Sequence, residues 1–169
     1  MVSFLFYLEV EEMVKVLFVC LGNICRSTMA EAVFRDKVEK AGLSSSIIVS
    51  SAATGSWNLG DAPHKGTQEI LKSKGVNFDG IYSTKITDEE FEQVDYIIGM
   101  DESNLTNLMK LSPNSKWNNK IHLLLSESID EKRQEVPDPY YTGDFDLTYE
   151  LVDLGTDKWL EKITKEIQK

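Results

Sequence analysis

Cysteine is scarce in this chain. Only two occur among its 169 residues, Cys20 and Cys25, and both fall in one short run. A structural disulfide is therefore not expected, and the spacing is not that of a C-x-x-C redox pair. Histidine is as scarce: His64 and His122 lie far apart without metal-ligand spacing, and a core or surface role is expected of each. Basic side chains number 18 against 28 acidic ones, for a formal net charge of −10. That disfavours nucleic acid and anionic membranes as partners. It leaves room for a phosphate site, which needs only a local positive charge. No run is apolar for long enough to cross a bilayer. Val2–Val10 is apolar and aromatic, but it is short and lacks a basic n-region. A cytoplasmic protein is expected. Repeats and low-complexity segments are missing, as is a GxxxxGK[ST] nucleotide loop. The length suits one domain with a full core.

What is present centres on Val19-Cys20-Leu21-Gly22-Asn23-Ile24-Cys25-Arg26-Ser27-Thr28. A cysteine, five residues, an arginine and a hydroxyl residue at the start of a helix make a loop suited to a phosphate-like anion. Where a strand turns into a helix, unpaired backbone N–H groups and the positive end of the helix dipole collect. They favour a thiolate on Cys20 and can cradle phosphoryl oxygens. Arg26 adds a planar fork that binds two oxygens at once. Gly22 allows a backbone conformation with positive φ. Asn23 tolerates the same region and can tie the loop with its side chain. The Ser27 hydroxyl can donate to the thiolate. Leu21 and Ile24 bring apolar surface into the loop, and Cys25 completes it.

The flanks agree. Val14–Val19 reads as a buried parallel strand. Ala30, Phe34, Val38 and Ala41 follow at helical spacing, with Gly42 as the C′ residue. A loop between a strand's C-terminal end and a helix N-terminus is the usual ligand position in open α/β sheets. Ile47–Ser51, Asp95–Met100 and Lys120–Leu125 read as three more strands. Gly66–Lys74 reads as a helix, and Thr87-Asp88-Glu89-Glu90 as a capping box opening a short one. Leu105, Leu108 and Met109 give another helix a buried face that ends before Pro113. Phe145 to about Ile167 is the long last helix, with Val152, Trp159, Ile163 and Ile167 on one side. Strands alternating with helices predict a three-layer, doubly wound α/β fold on a parallel sheet.

Ser126–Gly143 is the longest irregular stretch, and it holds Asp138 between Pro137 and Pro139. Expelling a phenolate from an aryl phosphate is eased by a positioned carboxylic acid. The prolines could hold such an acid at the mouth of a site. The dipeptide alone reads better as an ordinary turn.

At these residues the chain resembles the low-molecular-weight protein tyrosine phosphatases, bacterial type. Cys20–Ser27 fits the family's C-x5-R-S signature. Ser51-Ala52-Ala53-Thr54 and Met100-Asp101-Glu102-Ser103-Asn104 resemble two further family segments, and Asp138-Pro139-Tyr140-Tyr141 its general-acid loop. The likeness runs from about Met13 to the last helix. It implies a four-stranded parallel sheet and a phosphatase domain over residues 13–169. It also implies that neither metal nor cofactor is needed. Cys20, Arg26 and Asp138 become the catalytic residues, and Leu21–Ser27 the phosphate cradle. Leu21, Trp57, Asn58, Tyr140 and Tyr141 become the walls of a phosphotyrosine pocket, with Asn58, Asp61 and His64 on its rim. The partner is a phosphotyrosine-bearing protein, the product inorganic phosphate, and the enzyme a monomer. Cys25 could form a reversible disulfide with an oxidised Cys20 or merely pack behind it.

Three departures stand out. Met1–Glu12 precedes the family's usual start; a frayed end, an added edge strand and start-codon choice all account for it. Asp79–Lys85 lacks the histidine and arginine that many members carry, so the loop's support there must differ; Asn23 with Ser51 and Ser27 could suffice, and what replaces the histidine stays open. Thr28 stands where proline is frequent. Related activities are less well matched. Arsenate reductases of this fold need cysteines downstream, and none follows Cys25. Arginine phosphatases tend to carry threonine where Leu21 stands. A sugar-transport phosphocarrier would not need Asp138, and a noncatalytic phosphopeptide module would be expected to lack Cys20 or Asp138.

Overall fold

The computed structural model describes residues 12–128 and 132–168. All of the Met1–Glu12 extension except Glu12 lies outside the described residues. The apolar run ahead of the loop forms β1, Val14–Cys20. It pairs on one side with β2, Ile47–Ala53, and on the other with β3, Tyr96–Gly99. The last strand, β4, Ile121–Leu123, pairs with β3. All pairings are parallel and the order is β2-β1-β3-β4.

The near-continuous hydrophobicity of β1 follows from burial on both sides. Val16, Phe18 and Cys20 face one core, with Met29, Val33 and Phe34 of α1 (Arg26–Lys40) and Val152, Trp159 and Ile163 of α6 (Phe145–Ile167). Leu17 and Val19 face the other, with Phe91 of α3 (Asp88–Gln93) and Leu108 of α4 (Glu102–Leu111). The remaining helices are α2, Lys65–Ser73, and α5, Pro139–Thr142. The expected three-layer parallel architecture is thus observed. The Thr87 capping box is also present, with the Glu90 N–H donating to Thr87 Oγ1 and the Thr87 N–H to Glu90 Oε1.

Some boundaries differ for physical reasons. The strand expected over Lys120–Leu125 shortens to three residues because 3-10 turns take both its ends, Ser115–Lys120 and Leu124–Glu127. The second turn seats Leu124 against Gly155 of α6, where an added Cβ would lie 2.6 Å from Leu124 Cγ. Trp159 Nε1 donates to the Leu124 carbonyl at 2.9 Å. These leucines are apolar because they lie under α6, not because they extend the sheet. Met109 does not belong to the buried face of α4; it is exposed, while Leu108 and the polar Asn104 point inward. Ala41 is the exposed C-cap of α1 rather than part of its apolar stripe. Gly42 behind it has φ +71°, and the Leu43 N–H reaches back to the Val38 carbonyl as a helix-terminating motif requires.

Candidate active site

The loop that links β1 to α1 is held from outside by its carbonyls. The Thr54 and Gly55 N–H groups donate to the carbonyls of Cys20 and Leu21 at 3.0 and 2.9 Å. Ser83 Oγ donates to the Gly22 carbonyl at 2.9 Å. The His64 N–H donates to Ile24 at 2.7 Å, and Thr67 Oγ1 to Cys25 at 3.1 Å. A trans peptide points its N–H opposite to its carbonyl. Five carbonyls fastened outward therefore turn the amides that follow them toward the pocket. Cys25 is the N-cap of α1 and its side chain makes no capping bond, so the first-turn donors are left for an anion.

The expected role of Gly22 needs correction. Its φ is not positive; the left-handed residue is Asn23, at φ 54°. Glycine at 22 instead leaves room for a neighbour: a Cβ there would lie 2.8 Å from Asn58 Nδ2 and push that side-chain amide aside. Asn23 is fully buried, and its side chain ties the loop in three directions. Oδ1 accepts from the Thr84 N–H at 3.0 Å, while Nδ2 donates to Ser27 Oγ at 2.7 Å and Ser51 Oγ at 2.9 Å. Ser27 Oγ lies 3.0 Å from Cys20 Sγ. The expected Asn23–Ser27–Ser51 support is present, and Thr84, Ser83 and Glu31 extend it. Ser51 Oγ donates to Glu31 Oε1 at 2.6 Å.

Arg26 is buried beneath the loop. Its NH1 donates to Asp101 Oδ2 at 2.6 Å and to the Val136 carbonyl at 3.0 Å, and its NH2 to Asp138 Oδ2 at 3.3 Å. Burial opposes its charge, but Cys20, Asp101 and Asp138 outweigh that and hold the guanidinium above its ordinary value. Nε is buried with no hydrogen-bond partner among the described residues, and a buried donor of this kind is suited to an anion.

Asp138 caps α5, with Oδ1 accepting from the Tyr140 N–H at 3.0 Å. It lines one cleft of about 320 Å³ with Cys20, Leu21, Gly22, Ile24, Cys25, Trp57, Asn58, Tyr140 and Tyr141. The structure thus brings the nucleophile candidate, the acid candidate and every expected wall residue together. Trp57 lies over Gly55, where any Cβ would meet its ring at 1.9 Å, and it is 76% exposed. Tyr140 and Tyr141 meet edge to face at 5.2 Å. Of the rim candidates, Asp61 is exposed. His64 meets the cleft residue Tyr140 edge to face at 6.3 Å; its Nδ1 also accepts from the Gly66 N–H as the N-cap of α2, and its ring stacks on Phe145 at 5.1 Å. Burial first, then the charges of Cys20 and Asp138, pushes the Cys25 thiol up to about 12. Among the described residues no group of three or more His, Cys, Asp or Glu side chains is placed to hold a metal ion, and no helix is long and apolar enough to cross a membrane.

Sequence reasoning missed two acidic residues. Asp101 was visible only inside a family-like segment, although Asp101 followed by Asn104 is itself a capping signal. Glu31 carried a weaker sign, an acidic residue one helical turn after Ser27 on the loop-facing side of α1.

Residues 15–169 match the family model described as low molecular weight phosphotyrosine protein phosphatase. The chain is 45% identical over 156 residues to the low molecular weight protein-tyrosine-phosphatase YfkJ of Bacillus subtilis, covering 92% of this chain and 99% of that one. The YfkJ crystal structure superposes with a TM-score of 0.88, over 91% of this chain and 96% of that one. Identity to the phosphatase PtpA of Staphylococcus haemolyticus is 46% over 154 residues, 91% of this chain and 96% of the relative. A structure of a Drosophila arginine phosphatase is also similar, at 35% identity and a TM-score of 0.79, covering 88% of this chain and 97% of that one.

Proposed function

Because the chain belongs to the low molecular weight phosphotyrosine protein phosphatase family, we propose that it hydrolyses phosphotyrosine in proteins by a double displacement at Cys20. The Cys20 thiolate attacks phosphorus in line and the bond to the phenolic oxygen breaks. Asp138 gives its proton to that oxygen, so tyrosine leaves neutral and Asp138 becomes a carboxylate. A water then attacks phosphocysteine while Asp138 takes its proton. The P–S bond breaks, the electron pair returns to Cys20, and inorganic phosphate departs. Ser27 donates to the departing thiolate, Arg26 and the loop amides bind the equatorial oxygens, and the mechanism uses no metal or cofactor.

The observation that carries this reading is the set of outward-fastened carbonyls around Cys20, with Asp138 across the same cleft. Leu21, Trp57, Asn58, Tyr140 and Tyr141 suit an aromatic ring. Residues 13–169 act as one phosphatase domain, monomeric and cytoplasmic. Cys25 remains a candidate redox partner for Cys20: one cause of its raised value is the Cys20 charge, which oxidation of Cys20 to a sulfenic acid removes.

The test is steady-state hydrolysis of matched phosphotyrosine, phosphoserine and phosphoarginine peptides by the parent and by Cys20→Ser. Phosphotyrosine should be preferred and Cys20→Ser inactive. A preference for phosphoarginine would replace the substrate with that of an arginine phosphatase, and activity in Cys20→Ser would overturn the mechanism.

A further inference from the structure

The hydrogen-bond chain behind the loop has a direction, and it is set at the end farthest from Cys20. Asn23 Oδ1 accepts from the Thr84 N–H, so the amide orientation is fixed and both Nδ2 hydrogens go to the two serines. Ser27 and Ser51 each accept one bond from Asn23 and have one hydrogen left to give. That of Ser51 goes to Glu31 Oε1 at 2.6 Å. That of Ser27 is left to point at Cys20 Sγ, 3.0 Å away.

We propose that Glu31 is a positioning residue for the Cys20 thiolate, a role that rests on Cys20 being the nucleophile. By accepting the Ser51 hydrogen, Glu31 keeps Ser51 an acceptor for Asn23. Asn23 stays locked, and Ser27 stays turned as a donor toward sulfur. Without that acceptor, the Ser51 hydrogen competes with the Asn23 N–H it should receive. One tie of Asn23 is lost, and Ser27 is free to turn its hydrogen away from Cys20.

An ordinary packing role does not explain a carboxylate at this place. The Glu31 side chain is only 13% exposed, and its nearest cation, Arg35, stands at 3.9 Å, beyond hydrogen-bond reach. Arg35 itself donates to the Asn77 carbonyl at 3.1 Å. Burial pushes the Glu31 carboxyl up despite the pull of Ser51 and Arg35, so the fold holds a charge here against a cost. Helix α1 carries it one turn beyond Ser27, where its carboxylate reaches β2 and meets Ser51.

The experiment compares Glu31→Met, which keeps length but removes the acceptor, with Glu31→Gln, which keeps an oxygen. Ser51→Ala and the Glu31→Met/Ser51→Ala double variant complete a cycle. Turnover of an aryl phosphate is measured with acid-quench trapping of phosphocysteine and with thermal unfolding. Glu31→Met should lose about tenfold in kcat, the equivalent of roughly one hydrogen bond. Its KM should not rise, and phosphocysteine should accumulate, because thiolate departure is the slowed step. Glu31→Gln should lose less. In the Ser51→Ala background Glu31→Met should change kcat no further, since both act through one hydroxyl. Parental kcat in Glu31→Met, or the same loss with and without Ser51, would overturn the role. If Glu31→Met does not fold, Ser51→Ala decides: parental kcat there overturns it as well. A parent that traps no phosphate on Cys20 would instead refute the nucleophile assignment, and this role with it.

Discussion

Removing Asp101 should cost this enzyme its grip on phosphate, although Asp101 does not line the cleft. Its carboxylate serves two masters: Oδ2 accepts from Arg26 NH1 at 2.6 Å, and Oδ1 accepts from the Asn104 N–H at 2.8 Å as the N-cap of α4. Asp101→Ala loses both. A hydrogen bond to a charged group contributes about 1.5–3 kcal/mol. The Asp101 side chain is 22% exposed, so water takes up part of the loss and the lower half of that range applies. About 2 kcal/mol corresponds to a fall of roughly 30-fold in kcat/KM. Asp101→Asn can satisfy one master only. With its oxygen toward Arg26 it keeps the guanidinium and gives up the cap, about 1 kcal/mol of stability. The other orientation sets N–H against N–H at the Arg26 contact. The expected outcome is therefore a smaller kinetic loss, near tenfold or less, with a lower Tm. The assay is steady-state hydrolysis of an aryl phosphate with inorganic phosphate as competitive inhibitor. On the proposed assignment Arg26 binds the anion in ground and transition states alike, so the phosphate inhibition constant should rise with the fall in kcat/KM. Asn104→Ala is the control, since it removes the reciprocal half of the capping box and leaves the Arg26 contact. It should lower Tm without weakening phosphate. Parental phosphate affinity in Asp101→Ala, or equal weakening in Asn104→Ala, would refute the reasoning.

Asp138→Ala should lower turnover most for aryl phosphates with poorly acidic leaving phenols and least for those with acidic ones; an equal loss across the series would remove Asp138 from the acid role. Glu31 gives a pH dependence of known sign. Burial holds its folded-state carboxyl above the ordinary 4.5, so the folded chain keeps a proton the unfolded chain has released, and stability falls as pH rises from 4.5 through the raised value. Relative to the parent, Glu31→Gln should therefore gain stability in urea unfolding across that window, and a pH-independent difference would contradict the burial cost. With its thiol pushed up to about 12, Cys25 should resist iodoacetamide at pH 8 while Cys20 reacts; mass-spectrometric mapping of label to Cys25 in the folded protein would count against it.

The sequence revealed what is contiguous and hid what is assembled. Cys20, Arg26 and Ser27 were legible because one strand-to-helix loop carries the proposed nucleophile, the cation and the hydroxyl. Asp138 was legible as a candidate because two prolines mark its loop. The parallel sheet followed from strand–helix alternation, but the order β2-β1-β3-β4 rests on long-range pairings that no local pattern encodes. The same holds for Asp101, 75 residues from Arg26, and for Ser51, 20 residues from Glu31. Local rules also misread two sites. Glycine at 22 suggested a positive φ, whereas the neighbouring asparagine takes that conformation and the glycine makes room for Asn58. The leucines after β4 looked like strand because their burial comes from α6 rather than from a second sheet face. The segment Asp79–Lys85, read as lacking its usual support, supplies the loop with a backbone N–H from Thr84 and a hydroxyl from Ser83.

Arg26 shows why its identity is set by the fold as much as by the anion. Its two terminal nitrogens bind the loop after β3 through Asp101 and the acid-bearing loop through Val136 and Asp138. Its third nitrogen is buried with no partner among the described residues. A planar fork can divide its donors among two loops and a ligand because they diverge from a fixed frame. The three hydrogens of a lysine radiate from one atom, and three protein acceptors, Asp101, Val136 and Asp138, would leave none for a phosphate in the cradle. The guanidinium therefore couples the position of the proposed acid to the position of the cradle. Without it, Asp138 would keep its proline-flanked backbone and its Tyr140 cap but lose the contact that fixes its distance from the proposed phosphate site.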